Sequence, residues 1–134
     1  MRRILIVDDQ SMVAAHLERM LQGLGYNVIG KASSGEEAVD KFTEYDPDII
    51  LMDIVMPGSI DGITAAEIIK KKKNIPVVFL TAFPDDLYIE RAAKTYASGF
   101  LIKPVNKRSI KAAVEIALCT RERDVTLQMC TDVA

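Results

Sequence analysis

Ile49-Ile50-Leu51-Met52-Asp53 is a run of four apolar residues closed by an acid. The run is too short and too uniformly apolar for an amphipathic helix. It reads as a strand covered on both faces, as in a parallel sheet. Four further runs resemble it: Ile4–Val7, Val28–Ile29, Val77–Leu80 and Phe100–Ile102. Segments with helical spacing lie between them. Met12, Leu17, Met20, Leu21 and Leu24 are expected on one face; Ala38, Phe42 and Tyr45 follow at i, i+4, i+7; Ile63, Ala66 and Ile69 recur every three residues.

Local punctuation fits this alternation. Ser34 and Glu37 have capping-box spacing, Asp61-Gly62 precedes the third helical segment, and Pro76 and Pro104 break helical character near the fourth and fifth strands. Lys70–Lys73 sit where cations suit a helix C-terminus, and are read as a solvated helix end. A repeated β-α unit implies a doubly wound α/β fold, a five-stranded parallel sheet with helices on both faces. Short second and fifth runs flanking longer first, third and fourth runs suggest the strand order 2-1-3-4-5. That is the known flavodoxin-like arrangement, not an outcome derived from the runs alone.

The 134 residues suit one domain, and a hydrophobic content of 49% supports a full core. A net charge of −2 gives no footprint for nucleic acid, and no apolar run approaches a membrane span. The apolar run after Met1-Arg2-Arg3 is too short for a signal peptide. Cys119 and Cys130 match no metal or redox spacing and are read as reduced thiols of a cytoplasmic protein. With His16 the sole histidine, a histidine-based triad or zinc cluster is hard to build.

The polar residues at the strand ends carry the chemistry. Asp8 and Asp9 follow the first run, Asp53 the third, Thr81 the fourth and Lys103 the fifth. In a parallel sheet all of these lie at the carboxyl rim, where ligands bind at the switch point between strands one and three. Three converging carboxylates repel unless a proton or a cation intervenes, and a hard, oxygen-ligated Mg²⁺ fits best. Lys103 and Thr81 on the other side can hold phosphoryl oxygens. A carboxylate in such a setting can form a covalent acyl phosphate. Taken singly the pieces are ordinary: a strand-end Asp is more often a helix cap, Lys-Pro marks a turn, Thr81 suits a satisfied strand-end hydroxyl, and Phe100 a core aromatic. Their common register is what is specific.

Val7-Asp8-Asp9, Leu51 through Pro57, Asp61-Gly62, Leu80-Thr81-Ala82 and Ala97 through Pro104 together resemble the response-regulator receiver family of two-component signalling, over about residues 3 to 118. The resemblance implies that Asp53 is the phosphoacceptor. It implies that Asp9 and Asp53 ligate Mg²⁺ (or Mn²⁺) directly, with Asp8 acting through water and the Val55 carbonyl adding a ligand. Thr81 and Lys103 bind the phosphoryl group, and the Lys103–Pro104 bond is cis. Phosphorylation draws Thr81 inward and turns Phe100, changing a face made by helix four, strand five and helix five. The implied phosphoryl source is a histidine kinase or histidine phosphotransfer protein. The implied reader is a downstream protein or a fused output domain, and homodimerisation through the switching face is a further expectation. The chain would assist its own phosphorylation and dephosphorylation without being a turnover enzyme.

Two departures from the family pattern stand out. Pro57 to Asp61 spans four steps where three are usual, a longer loop similar to that of receivers tied to sensory proteins. Val55 and Phe83, at positions that commonly tune phosphoryl lifetime, cannot orient a hydrolytic water by side-chain hydrogen bonding. Slow self-dephosphorylation is therefore expected. Residues 1–120 are read as the receiver domain, and 121–134 as an extension of the last helix or a frayed tail. No output domain is recognisable, which implies either a stand-alone regulator or a fragment. Three rival readings compete. A flavin or nucleotide domain wants a phosphate-cradling first loop, not Asp8-Asp9-Gln10-Ser11. An aspartyl phosphatase wants an acid where Val55 stands. A phosphorylation-independent interaction module should ignore Mg²⁺.

Overall fold

The computed structural model describes residues 2–133, and side chains as far as residue 120. Five strands alternate with five helices: β1 (Arg3–Val7), α1 (Ser11–Gly23), β2 (Asn27–Ala32), α2 (Gly35–Tyr45), β3 (Ile49–Asp53), α3 (Gly62–Lys72), β4 (Val77–Thr81), α4 (Asp86–Lys94), β5 (Gly99–Ile102) and α5 (Lys107–Val133). The strands are parallel and form one sheet in the order β2-β1-β3-β4-β5. This is the expected doubly wound, flavodoxin-like architecture. The segment expected as an extension or tail, 121–134 with Cys130, falls outside the residues whose side chains are described.

Alternation along the strands divides the core in two. Leu5, Val7, Ile50, Met52, Val77 and Phe79 face one side and meet Ala38 and Phe42 of α2, Ile63, Ala66 and Ile69 of α3, and Ala92 of α4. Ile4, Ile6, Ile49, Leu51, Val78 and Leu80 face the other, against Leu17 and Leu21 of α1 and Ile110 and Val114 of α5. β1, β3 and β4 are apolar throughout because helices cover both faces.

Two details differ from expectation. Met12 is 85% exposed, and the buried face of α1 is Ala14, Leu17 and Leu21. Met12 lies in the first turn of α1. β2, expected short, has six residues. As an edge strand it is mostly half-covered, so its length does not register as apolar content.

Helix starts follow the side chains that satisfy their free N–H groups. Ser34 caps α2 by accepting from Glu37 N at 3.1 Å, while the Glu37 carboxylate takes the Ser33 hydroxyl at 3.0 Å, one residue outside the standard capping box. Asp61 caps α3, accepting from Thr64 N at 2.8 Å. At the far end of α3, Lys70 donates to the Tyr96 carbonyl and Lys73 pairs with Asp46. Gly62 begins α3 where its N–H donates to the Ile54 carbonyl at 2.9 Å, and a Cβ there would overlap the Asp53 carbonyl oxygen. Alanine ordinarily favours a helix over glycine. Gly62→Ala is expected to do the opposite and destabilise the fold by about 2 kcal/mol, because backbone rather than a flexible side chain must give way. Denaturant unfolding at constant m-value checks this.

Candidate phosphoacceptor site

Strand register brings the polar residues together. Val7 pairs with Met52, so Asp8 and Asp53 leave β1 and β3 at the same level. Asp53 pairs with Leu80, and Thr81 pairs with Ile102, which sets Thr81 and Lys103 one step further out on β4 and beyond β5. Carboxylate oxygens of Asp8, Asp9 and Asp53 all lie within 4.8 Å of one another. Asp8 and Asp53 are buried, at 2% and 5% exposure, whereas Asp9 faces solvent.

Lys103 spans the cluster. Its Nζ is 2.6 Å from Asp8 Oδ2 and 3.2 Å from Asp53 Oδ2. The other Asp8 oxygen accepts the Gln10 N–H at 2.9 Å. Burial pushes the Asp53 carboxyl up to about 6, the neighbouring Asp8 charge adds to this, and Lys103 opposes it. For Lys103, burial would lower the ammonium. The Asp8 hydrogen bond and the charges of Asp53 and Asp8 outweigh it and hold the group above its ordinary range. Three carboxylates against one ammonium leave an excess of negative charge in a largely water-excluded space. All the donors there are hard oxygens, and this set suits a small divalent cation that keeps some of its water.

Thr81 is fully buried, and its hydroxyl is engaged with its own loop, accepting from Phe83 N at 3.0 Å and lying 3.2 Å from the Phe83 carbonyl. Phe100 is partly buried against the core on the side of α2, α3 and α4. Val55 lies in the β3–α3 loop and is 42% exposed; Phe83, after β4, is 66% exposed. The Lys103–Pro104 peptide is cis. An apolar cleft bounded by Val13, Leu17, Leu80, Pro104 and Val105 opens beside Lys103.

Two residues that the sequence did not single out join this neighbourhood. Arg91 of α4 makes a two-pronged ion pair with Asp61, Nη1 to Oδ2 at 2.7 Å and Nη2 to Oδ1 at 3.2 Å. Burial would raise the Asp61 carboxyl, but the Arg91 bond and the Thr64 N–H hold it below the usual range. Glu36, in the first turn of α2, accepts from Ser59 N, Ser59 Oγ and Ile60 N at 2.8, 2.8 and 2.9 Å. No local motif links either residue to its partner, which lies 23 to 30 positions away.

A doubly wound parallel sheet with an acidic cluster and a lysine at its switch point defines a flavodoxin-like α/β protein with a cation-seeking rim. The chain belongs to the response regulator receiver domain family, whose model matches residues 4–115. It is thus a receiver domain of two-component response regulators, in a family of phosphoacceptor signalling modules.

Among its relatives is the transcriptional regulatory protein PdtaR of Mycobacterium tuberculosis, 38% identical over 93% of this chain. The chain spans 60% of the length of that relative. The signal receiver domain of a modulated diguanylate cyclase from Desulfovibrio desulfuricans superposes with a TM-score of 0.86 at 34% identity, covering 91% of this chain and 97% of that one. The CheX–CheY–BeF3–Mg²⁺ complex of Borrelia burgdorferi contains a chain with a TM-score of 0.78 at 31% identity, covering 84% of this chain and 86% of that one. Among the described residues, no helix is long and apolar enough to cross a membrane.

Proposed function

We propose that this receiver takes a phosphoryl group onto Asp53 from a phosphohistidine on a histidine kinase or histidine phosphotransfer protein, and that the modified state changes a protein-binding face. The observation that carries the reading is the convergence of Asp8, Asp9 and Asp53 on one rim with Lys103 between two of them. A carboxylate oxygen of Asp53 attacks phosphorus, the phosphorus–nitrogen bond of the donor histidine breaks, and an acyl phosphate results. Asp9 and Asp53 would hold Mg²⁺ or Mn²⁺ directly, Asp8 through water, with the Val55 carbonyl completing the protein's share. The cation, when bound, offsets the negative charge of the phosphoryl oxygens. The relative solved with BeF3 and Mg²⁺ supports this ligand class.

Lys103 is the charge partner for a phosphoryl oxygen, and Asp8 holds its ammonium at the rim. Thr81 donates to another oxygen once its hydroxyl leaves the Phe83 backbone. Phe100, beside α4 on β5, follows that movement and alters the face of α4, β5 and α5. That face serves a downstream protein, a fused output domain or a second copy of the chain, in a cytoplasmic setting without direct nucleic-acid or membrane contact. Residues 1–120 form the receiver unit.

Incubating the purified protein with a small-molecule phosphodonor and Mg²⁺ should add one phosphoryl group by intact mass, and a chelator should prevent it. Indifference to both reagents would instead favour a phosphorylation-independent interaction module. Val55 and Phe83 offer no side chain to orient water, so the phosphorylated protein should decay slowly. A half-life of seconds in isolation would contradict that part of the reading.

A further inference from the structure

We propose that Glu36 is a positioning residue for the phosphoacceptor site, its carboxylate fixing the β3–α3 loop in the shape that presents Val55 to the metal ion. The inference rests on the function proposed above and concerns a residue outside the acidic cluster. Glu36 and Glu37 are neighbours in the first turn of α2 but do different things. Glu37 serves its own helix, bonding to Ser33 and Lys41. Glu36 turns away and gathers three donors from Ser59 and Ile60 on a single oxygen. The Ser59 hydroxyl bond is the main cause that holds this carboxyl below its usual range, so it is charged at neutral pH.

Two glycines show independently that the loop and the helix are built to approach. Gly58 has φ +112°, a conformation that disfavours a side chain, and a Cβ there would stand 2.5 Å from Glu36 Oε2. A Cβ on Gly35 would stand 2.7 Å from Ile60 Cγ1 and 3.1 Å from the Ile60 carbonyl. The base of the loop is fixed separately: Ile54 N donates to the Leu80 carbonyl and Gly62 N to the Ile54 carbonyl. Between that base and the Glu36 clasp lie only Val55, Met56, Pro57 and Gly58. The loop is one step longer than the family pattern. An unanchored extra residue would let Val55 wander, and the Glu36 carboxylate removes that freedom.

The test is Mg²⁺ titration of the metal-free protein by calorimetry, with amide hydrogen exchange at Ser59 and Ile60 measured in parallel. Glu36→Ala should weaken Mg²⁺ binding about tenfold, the scale typical of groups that orient metal ligands. The Ser59 and Ile60 amides should then exchange faster. Glu36→Gln keeps a carbonyl acceptor and should recover most of the affinity. Ser59→Ala should lose less, in the same direction, and keeps the test alive if Glu36→Ala does not fold. Glu37→Ala serves as control: it perturbs the same helical turn but should leave Mg²⁺ affinity within about twofold of the wild type. Wild-type affinity in Glu36→Ala, or an equal loss in Glu37→Ala, would overturn the role of Glu36 alone. A wild-type protein that ignores Mg²⁺ would instead overturn the phosphoacceptor reading beneath it.

Discussion

Asp53→Asn is expected to take up no phosphoryl group and, in the absence of metal, to be more stable than the wild type. The first effect follows from chemistry: an amide nitrogen in place of the second carboxylate oxygen leaves no nucleophile for the acyl phosphate. Intact mass after phosphodonor treatment should show one addition on the wild type and none on the variant. The second effect follows from electrostatics. Burial and Asp8 raise the Asp53 carboxyl from 3.8 to about 6. The folded state therefore binds that proton more tightly than the unfolded chain does. Stability is highest below the unfolded value, falls as pH rises through the interval from 3.8 to about 6, and stays at the lower level above it. Asparagine is neutral throughout and escapes the loss. The gain near neutral pH should be about 1–2 kcal/mol, after allowance for solvent screening. Urea unfolding in a chelator should show the gain near neutrality and its disappearance in acid. A variant less stable than the wild type at both ends would refute this account of the site's charge.

Lys103→Met should have the opposite sign and a larger size. The methionine keeps most of the volume but leaves Asp8 and Asp53 facing each other without their cation. Removing one partner from a buried ion pair costs about 3 kcal/mol. The raised Lys103 ammonium contributes stability that is fully present below its unfolded value of 10.5 and is lost only as pH climbs through its still higher folded value. Its contribution is thus complete at neutral pH. The variant's deficit should shrink as pH is lowered, because Asp53 then takes up the proton that relieves the repulsion. Millimolar Mg²⁺ should shrink it too, because without the competing ammonium the variant's carboxylates bind the cation more tightly and gain more from mass action than the wild type does. A deficit that ignores both pH and Mg²⁺ would mean that Lys103 acts by packing alone.

The sheet was readable because strands buried on both faces are written as unbroken apolar runs, and β1, β3 and β4 are of this kind; its order came with the known flavodoxin-like arrangement. β2 was under-read because an edge strand needs no such run. The acidic cluster and Lys103 were readable from register: Asp8-Asp9, Asp53 and Lys103 come straight after the last apolar residues of β1, β3 and β5, and parallel pairing places those positions on one rim. Thr81 was located by the same logic, but its present partner, the Phe83 backbone, was not, since Thr81-Ala82-Phe83 carries none of the residues that mark a turn. Glu36 and Arg91 stayed hidden for a different reason. A lone charge in a helical turn has no periodic signature, and its partner is fixed only when α2 and α4 dock on the sheet. The extra residue before Asp61 was visible as an anomaly, yet what restrains it became apparent only in three dimensions.

The fork between Arg91 and Asp61 makes α4 a lever with its fulcrum in the cap of α3. An outward swing of α4 would strain these two charged bonds and pull on the cap of α3, next to Gly62, whose backbone lies close against the Asp53 carbonyl. If filling the rim shifts α4, as the proposed switching face requires, then any molecule that grips α4 better in one posture changes the affinity of the rim for its own ligands by the same factor.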